Sequence, residues 1–121
     1  MSTGKTILIV DDSEGIRQQI SQALTAAGHQ TVEAIDGVEG LERLRAHDDL
    51  ALVLCDLNMP RMNGLEMLAE AKKAGHTAPV LMLTTEAQPA LVQRARQIGA
   101  RGWIIKPFKT ELLLMAVSRF V

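Results

Sequence analysis

Aromatic residues are nearly absent from this chain of 121 residues, which holds no tyrosine, two phenylalanines and one tryptophan. Hydrophobic residues still make up 47%, so a core can form, but it must be aliphatic, built from Leu, Ile, Val, Ala and Met. Cysteine occurs once, at Cys55, which excludes an intramolecular disulfide and suits a reducing compartment. Neither sign of charge dominates: 13 Lys and Arg stand against 14 Asp and Glu, for a formal net charge of -1. The basic residues are scattered, with no stripe or polybasic tail, which argues against nucleic-acid and anionic-membrane partners. No apolar run approaches the ~20 residues of a membrane-spanning helix. The start, Met1-Ser2-Thr3-Gly4-Lys5-Thr6, lacks a signal-peptide layout. The expectation is a cytoplasmic protein of one compact domain, residues 1–121, with no output domain attached.

Short apolar runs alternate with amphipathic stretches. The first run, Thr6 to Val10, ends at Asp11-Asp12-Ser13. A helical pattern then puts Ile16, Ile20 and Leu24 on one face, with Gly28 as a stop. Gln30 to Ile35 reads as a more polar edge strand, and Asp36-Gly37 turns into a helix carrying Val38, Leu41 and Leu44. Leu50 to Cys55 is strongly apolar and ends at Asp56. A loop from Leu57 to Gly64 precedes a helix with Leu65, Leu68 and Ala71, closed by Gly75. Pro79 to Leu83 ends at Thr84-Thr85, and Pro89 opens a helix with Leu91, Ala95 and Ile98. Gly102 to Ile105 ends at Lys106-Pro107. Thr110 is the predicted cap of a final helix with Leu112, Leu113, Ala116 and Phe120. Strict alternation of strand and helix, with strands apolar on both faces, predicts a parallel sheet covered on both sides.

Ligands of such sheets bind beyond the carboxyl ends of the strands, where strand order reverses. The residues just after the runs are Asp11 and Asp12, Asp56, Thr84 and Thr85, and Lys106; the second run contributes nothing obvious. If the first and third strands are neighbours, ~4.8 Å apart, three carboxylates converge. They would repel and partly protonate unless a cation joined them. Oxygen ligands with room for water suit Mg²⁺, with Mn²⁺ as the alternative. A carboxylate nucleophile, a divalent metal, an ammonium and a hydroxyl together make a phosphoryl-transfer site.

Taken singly, each residue has an ordinary explanation. Asp11-Asp12-Ser13 can be a turn and helix cap, Lys106 a solvated loop lysine, and Asn63-Gly64 a turn signal and nothing more. Cys55 points away from Asp56 by strand alternation and reads as a buried, inert thiol. His29, His47 and His76 fall at or past helix C-termini, where partial positive charge is favourable. The methionines read as core filler, with Met59 and Met62 able to meet a partner.

The joint pattern is specific. Ile7-Leu8-Ile9-Val10-Asp11-Asp12-Ser13, Asp56 to Gly64, Val80 to Thr84 and Gly102 to Phe108 resemble, in order, the receiver domain of two-component response regulators, most closely its chemotaxis members. The resemblance implies a flavodoxin-like (βα)5 doubly wound fold with a five-stranded parallel sheet in the order 2-1-3-4-5, an order taken from that class. It implies Asp56 as the phosphoacceptor, with a metal held by Asp11, Asp12, Asp56 and the Asn58 carbonyl. Lys106 would pair with the phosphoryl group, Thr84 would report it, and Lys106-Pro107 would be cis. Trp103 stands where the family commonly has a Tyr or Phe that changes rotamer on phosphorylation. Thr85 replaces a common Ala and would narrow access, while Asn58 and Glu86 sit where the family tunes phosphoryl decay.

The implied function is a signalling switch, not a metabolic enzyme, catalysing only its own phosphorylation and dephosphorylation. Its partners would be a sensor histidine kinase or phosphotransfer domain and a downstream protein, in chemotaxis the flagellar motor switch, with the chain acting as a monomer. A phosphorelay intermediate or a receiver of another pathway is the alternative. A haloacid-dehalogenase-type phosphohydrolase would carry Asp-x-Asp-x-Thr where this chain has Asp11-Asp12-Ser13-Glu14, and would need a cap domain. A flavin module would need a hydroxyl-rich phosphate loop after the first strand, where two aspartates would repel a phosphate, and aromatics to stack the ring.

Overall fold

The computed structural model describes residues 5–85 and 88–121. Five strands and five helices alternate. They are β1 (Thr6–Val10), α1 (Glu14–Ala26), β2 (Gln30–Ala34), α2 (Gly37–Ala46), β3 (Leu50–Asp56), α3 (Gly64–Lys73), β4 (Val80–Thr84), α4 (Pro89–Ile98), β5 (Gly102–Ile105) and α5 (Thr110–Ser118). The sheet is parallel throughout, in the order β2-β1-β3-β4-β5. The polar strand β2 is an edge, as its composition predicts.

Side-chain alternation sends each central strand into two cores. Leu8, Val10, Val53, Cys55, Val80 and Met82 pack with Leu41 and Leu44 of α2, Met67 and Leu68 of α3 and Ala95 of α4. Ile7, Ile9, Leu52, Leu54, Leu81 and Leu83 pack on the other face with Ile20 and Leu24 of α1 and Leu113 and Val117 of α5. This is why β1, β3 and β4 read as continuous apolar runs: water reaches neither face. Helix stops at Gly28 and Gly75 have left-handed φ of 95° and 84°, which glycine adopts without a steric penalty.

Three local expectations are corrected. Thr110 is the first helical residue, not the cap; Lys109 occupies the cap position without a side-chain hydrogen bond. On α5 Leu113 and Val117 are buried and Ala116 and Phe120 pack against the same core, as predicted for all but Val117, whereas Leu112 is 56% exposed. In α3, Met67 shares the buried face with Leu68 and Ala71, and Leu65 is only partly buried. No helix among the described residues is long and apolar enough to cross a membrane.

Candidate functional site

Strand register assembles the site. Val10 pairs with Cys55, so the next residues, Asp11 and Asp56, emerge side by side. Asp56 pairs with Leu83, which sets Thr84 one residue further out. Thr84 pairs with Ile105, so Lys106 follows one residue beyond that. The same stagger is carried past the strands by backbone bonds from Leu57 N–H to the Leu83 carbonyl (2.9 Å) and from Lys106 N–H to the Thr84 carbonyl (2.7 Å).

Asp11, Asp12 and Asp56 each bring one carboxylate oxygen within 4.8 Å of the others'. Asp11 is fully buried, Asp56 nearly so, and Asp12 is exposed. One Asp11 oxygen accepts the Ser13 N–H at 2.9 Å, and Ser13 in turn caps α1 by accepting the Ile16 N–H. The other takes the Lys106 ammonium at 3.0 Å, and the same Nζ lies 3.3 Å from Asp56 Oδ1. Thr84 is fully buried beside them, and Thr85 is exposed. The Lys106-Pro107 peptide is cis.

The electrostatics follow from crowding. Burial, and then the negative charge of Asp11, push the Asp56 pKa above the ordinary carboxylate value; Lys106 and the Asn58 N–H oppose this without cancelling it. Burial works to lower the Lys106 pKa, but its hydrogen bond and ion pair with Asp11, and then Asp56, raise it overall. Lys106 is therefore a fixed cation. Cys55 is buried on the opposite face, 3.7 Å from the Met67 sulfur. Burial and the two acids push its thiol far up, which leaves it inert.

The remaining predicted residues lie around this centre. Asn58 is exposed on the loop after Asp56. Met59 and Met62 pack against the core and are partly buried. Trp103 is partly buried on β5, opposite Met82 of β4. Its indole Nε1 is buried with no hydrogen-bond partner. Trp103, Ile105, Phe108 and Leu112 help line a groove of about 420 Å³ between β5 and α5. Glu86 lies outside the described residues.

Four residues not predicted for the site support it. Gly64 is more than a turn signal: a Cβ there would collide with the Asp56 carbonyl oxygen and come within 2.8 Å of Met82 Cε. Asn63 beside it forms a capping box with Glu66, which the Asn-x-x-Glu spacing could have disclosed. Arg17 donates to the Asp11 carbonyl at 2.7 Å and to Glu33 at 3.1 Å. The β2–α2 corner, which looked empty, holds Asp36, 2% exposed and 2.6 Å from Arg61 Nε. An Asp before a helix is a cap signal, but no spacing rule reveals a partner 25 residues away.

A response regulator receiver domain family model matches residues 7–118. A CheY homologue of Campylobacter jejuni, named as a chemotaxis protein, is 40% identical over 110 residues, covering 88% of this chain and 85% of that protein. A chain of the CheX-CheY-BeF3-Mg²⁺ complex from Borrelia burgdorferi superposes with a TM-score of 0.91 at 31% identity, covering 97% of this chain and 90% of that one. The Escherichia coli regulator of RpoS is 37% identical over 106 residues, but these amount to only 31% of its length. The chain belongs to the response regulator receiver domain family. With its acid cluster it carries the general equipment of a phosphotransfer switch, and that cluster is suited to a divalent cation.

Proposed function

We propose that the protein is a response regulator in which Mg²⁺-dependent transfer of a phosphoryl group from a histidine kinase to Asp56 switches the binding of a downstream partner, in chemotaxis signalling. The observation that carries this is the meeting of Asp11, Asp12, Asp56 and Lys106 at the carboxyl ends of β1, β3 and β5. An Asp56 oxygen attacks phosphorus, the P–N bond to the kinase imidazole breaks, and an acyl phosphate forms.

Three clustered carboxylates, one with a raised pKa, fit a hard cation that relieves their repulsion. Asp11, Asp12, Asp56 and the Asn58 carbonyl would hold Mg²⁺, or Mn²⁺, which supplies charge stabilisation to the equatorial oxygens. Lys106 moves its ammonium from the carboxylates to the incoming phosphoryl group. Thr84 donates its hydroxyl to the same group, and its displacement makes room for Trp103 to turn. An unpaired buried N–H is a penalty, so the present Trp103 pose is not one its indole nitrogen favours. Asn58 and Thr85, both exposed at the rim of the acid cluster, tune hydrolysis.

The output is binding at the face of α4, β5 and α5. Ile105 is 46% exposed there, and Leu112 and Met115 are each 56% exposed. The flagellar motor switch is the proposed target, on the strength of the chemotaxis relatives. The relative named as a regulator of RpoS keeps a receiver of another pathway, or a phosphorelay intermediate, as the second reading.

Intact mass after incubation with a small-molecule phosphodonor tests the chemistry. One added phosphoryl group is expected only with Mg²⁺ and not in Asp56→Ala. If no adduct forms and a beryllofluoride mimic also leaves Trp103 fluorescence unchanged, the reading fails.

A further inference from the structure

The β2–α2 corner gives no oxygen to the acid cluster, yet it is tied twice to the loop that leaves Asp56. Arg61 Nε donates to Asp36 Oδ2 at 2.6 Å, and Gly37 N–H donates to the Met62 carbonyl at 3.1 Å. The corner is a firm anchor. Asp36 Oδ1 caps α2 by accepting the Glu39 N–H at 2.9 Å, and Glu39 reaches back to accept the Ile35 N–H at 3.1 Å. Gly37 has no room for a side chain, since a Cβ there would lie 2.7 Å from the Met62 carbonyl oxygen.

The loop is also closed at its base, where Gly64 N–H donates to the Leu57 carbonyl at 3.0 Å. Asn58 lies between these ties. Arg61 is the one described non-glycine residue with positive φ, at 63°. An arginine resists that left-handed conformation, and the Asp36 contact of its side chain acts with the backbone bonds at Met62 to hold it there. With 58% of its side chain exposed, Arg61 is not fixed by core packing.

We propose that Arg61 is a positioning residue. Through Asp36 it holds the loop carrying Asn58 in the conformation that divalent-ion binding requires, so that little reordering accompanies binding. The inference rests on the reading of the acid cluster as a Mg²⁺ site. It adds a residue that touches neither the metal nor the phosphoryl group.

Calorimetric titration of Mg²⁺ into the full chain tests it. The variants are Arg61→Asn, which tolerates the left-handed backbone but loses the ion pair, Asp36→Asn, which keeps the cap, the double variant, and Arg61→Lys. The dissociation constant is expected to rise roughly three- to tenfold in each asparagine variant, near the low end for loss of an outer support to a metal site. The double variant should be no weaker than either single one, because the two changes break one contact. Arg61→Lys should recover part of the affinity, and the Gly37 amide should exchange faster with solvent in Arg61→Asn.

Dissociation constants within twofold of the unsubstituted protein, even with lowered thermal stability, would overturn the proposal and leave the pair a structural role. Effects that add in the double variant would overturn it as well. If the unsubstituted protein bound no Mg²⁺, the reading of the cluster would fall first and this inference with it.

Discussion

Asp36 and Asp56 are both buried carboxylates, and their surroundings move them in opposite directions. Burial works to raise the Asp36 pKa, but the Arg61 hydrogen bond and charge, with backbone donors from Glu39 and Val38, bring it below the ordinary value. Asp56 stays raised because its burial, and then the charge of Asp11, outweigh the lowering by Lys106, which Asp11 also engages. The unfolded chain therefore protonates Asp36 before the folded chain does. The stability that Asp36 contributes is present above the ordinary carboxylate pKa and is lost as pH falls through the lowered, folded value. For Asp56 the sign reverses: folding is penalised as pH rises from the ordinary value through the raised one, and the penalty persists above it. Without divalent ions, Asp36→Asn should destabilise at neutral pH and Asp56→Asn should stabilise. Both differences should shrink toward acid. Unfolding free energies from urea titrations between neutral and acid pH measure this; pH-independent differences in both variants would contradict the assignment.

At the scale of elements, what the sequence made legible depended on how much each segment had to hide. The runs of β1, β3 and β4 show no polar alternation because helices cover both faces, so strand, sheet type and site-bearing ends could all be read. Helix α5 fails the same test. Leu112, Leu113, Leu114, Met115, Ala116 and Val117 are consecutive, and no periodicity tells which face is core. Packing buries Leu113 and Val117, with Ala116 and Phe120 against the same core, and leaves Leu112 and Met115 outside, which is why the sequence places Leu112 on the wrong face and misses Val117. The start of α3 was undervalued for a different reason. Asn63-Gly64 has the composition of an ordinary turn, but Gly64 is required by the Asp56 carbonyl packed against it. Gly64→Ala should cost about 1–3 kcal/mol, as overpacking typically does, and should slow phosphorylation of Asp56 by moving its backbone. Chemical denaturation and the rate of mass gain with a phosphodonor check the two effects. A variant as stable as the parent would show that the helix start can shift freely.

For the whole molecule, the decisive quantity is the coupling between the cluster and global stability. The Asp11, Asp12 and Asp56 side chains were legible because each ends or follows an apolar central strand, and the register brings those ends together. The Asp36–Arg61 tie was not, because it joins an edge-strand corner to a loop through a contact that only the folded chain makes. Both converge on one prediction. The metal-free fold carries three acids against one shared lysine, so a cation that binds only the folded chain should stabilise it by mass action. At a hundredfold excess over the dissociation constant the gain is about 2.7 kcal/mol. At about 4 °C per kcal/mol for a domain of this size, Mg²⁺ should raise the Tm by roughly 10 °C. Asp56→Asn should start from a higher metal-free Tm and gain less, since relief of the Asp56 repulsion is already built into the variant. Melting curves of both proteins over a Mg²⁺ series read the two effects separately. A parent Tm indifferent to Mg²⁺ would mean that Lys106 alone balances the cluster, and would count against the reading of the cluster as a divalent-cation site.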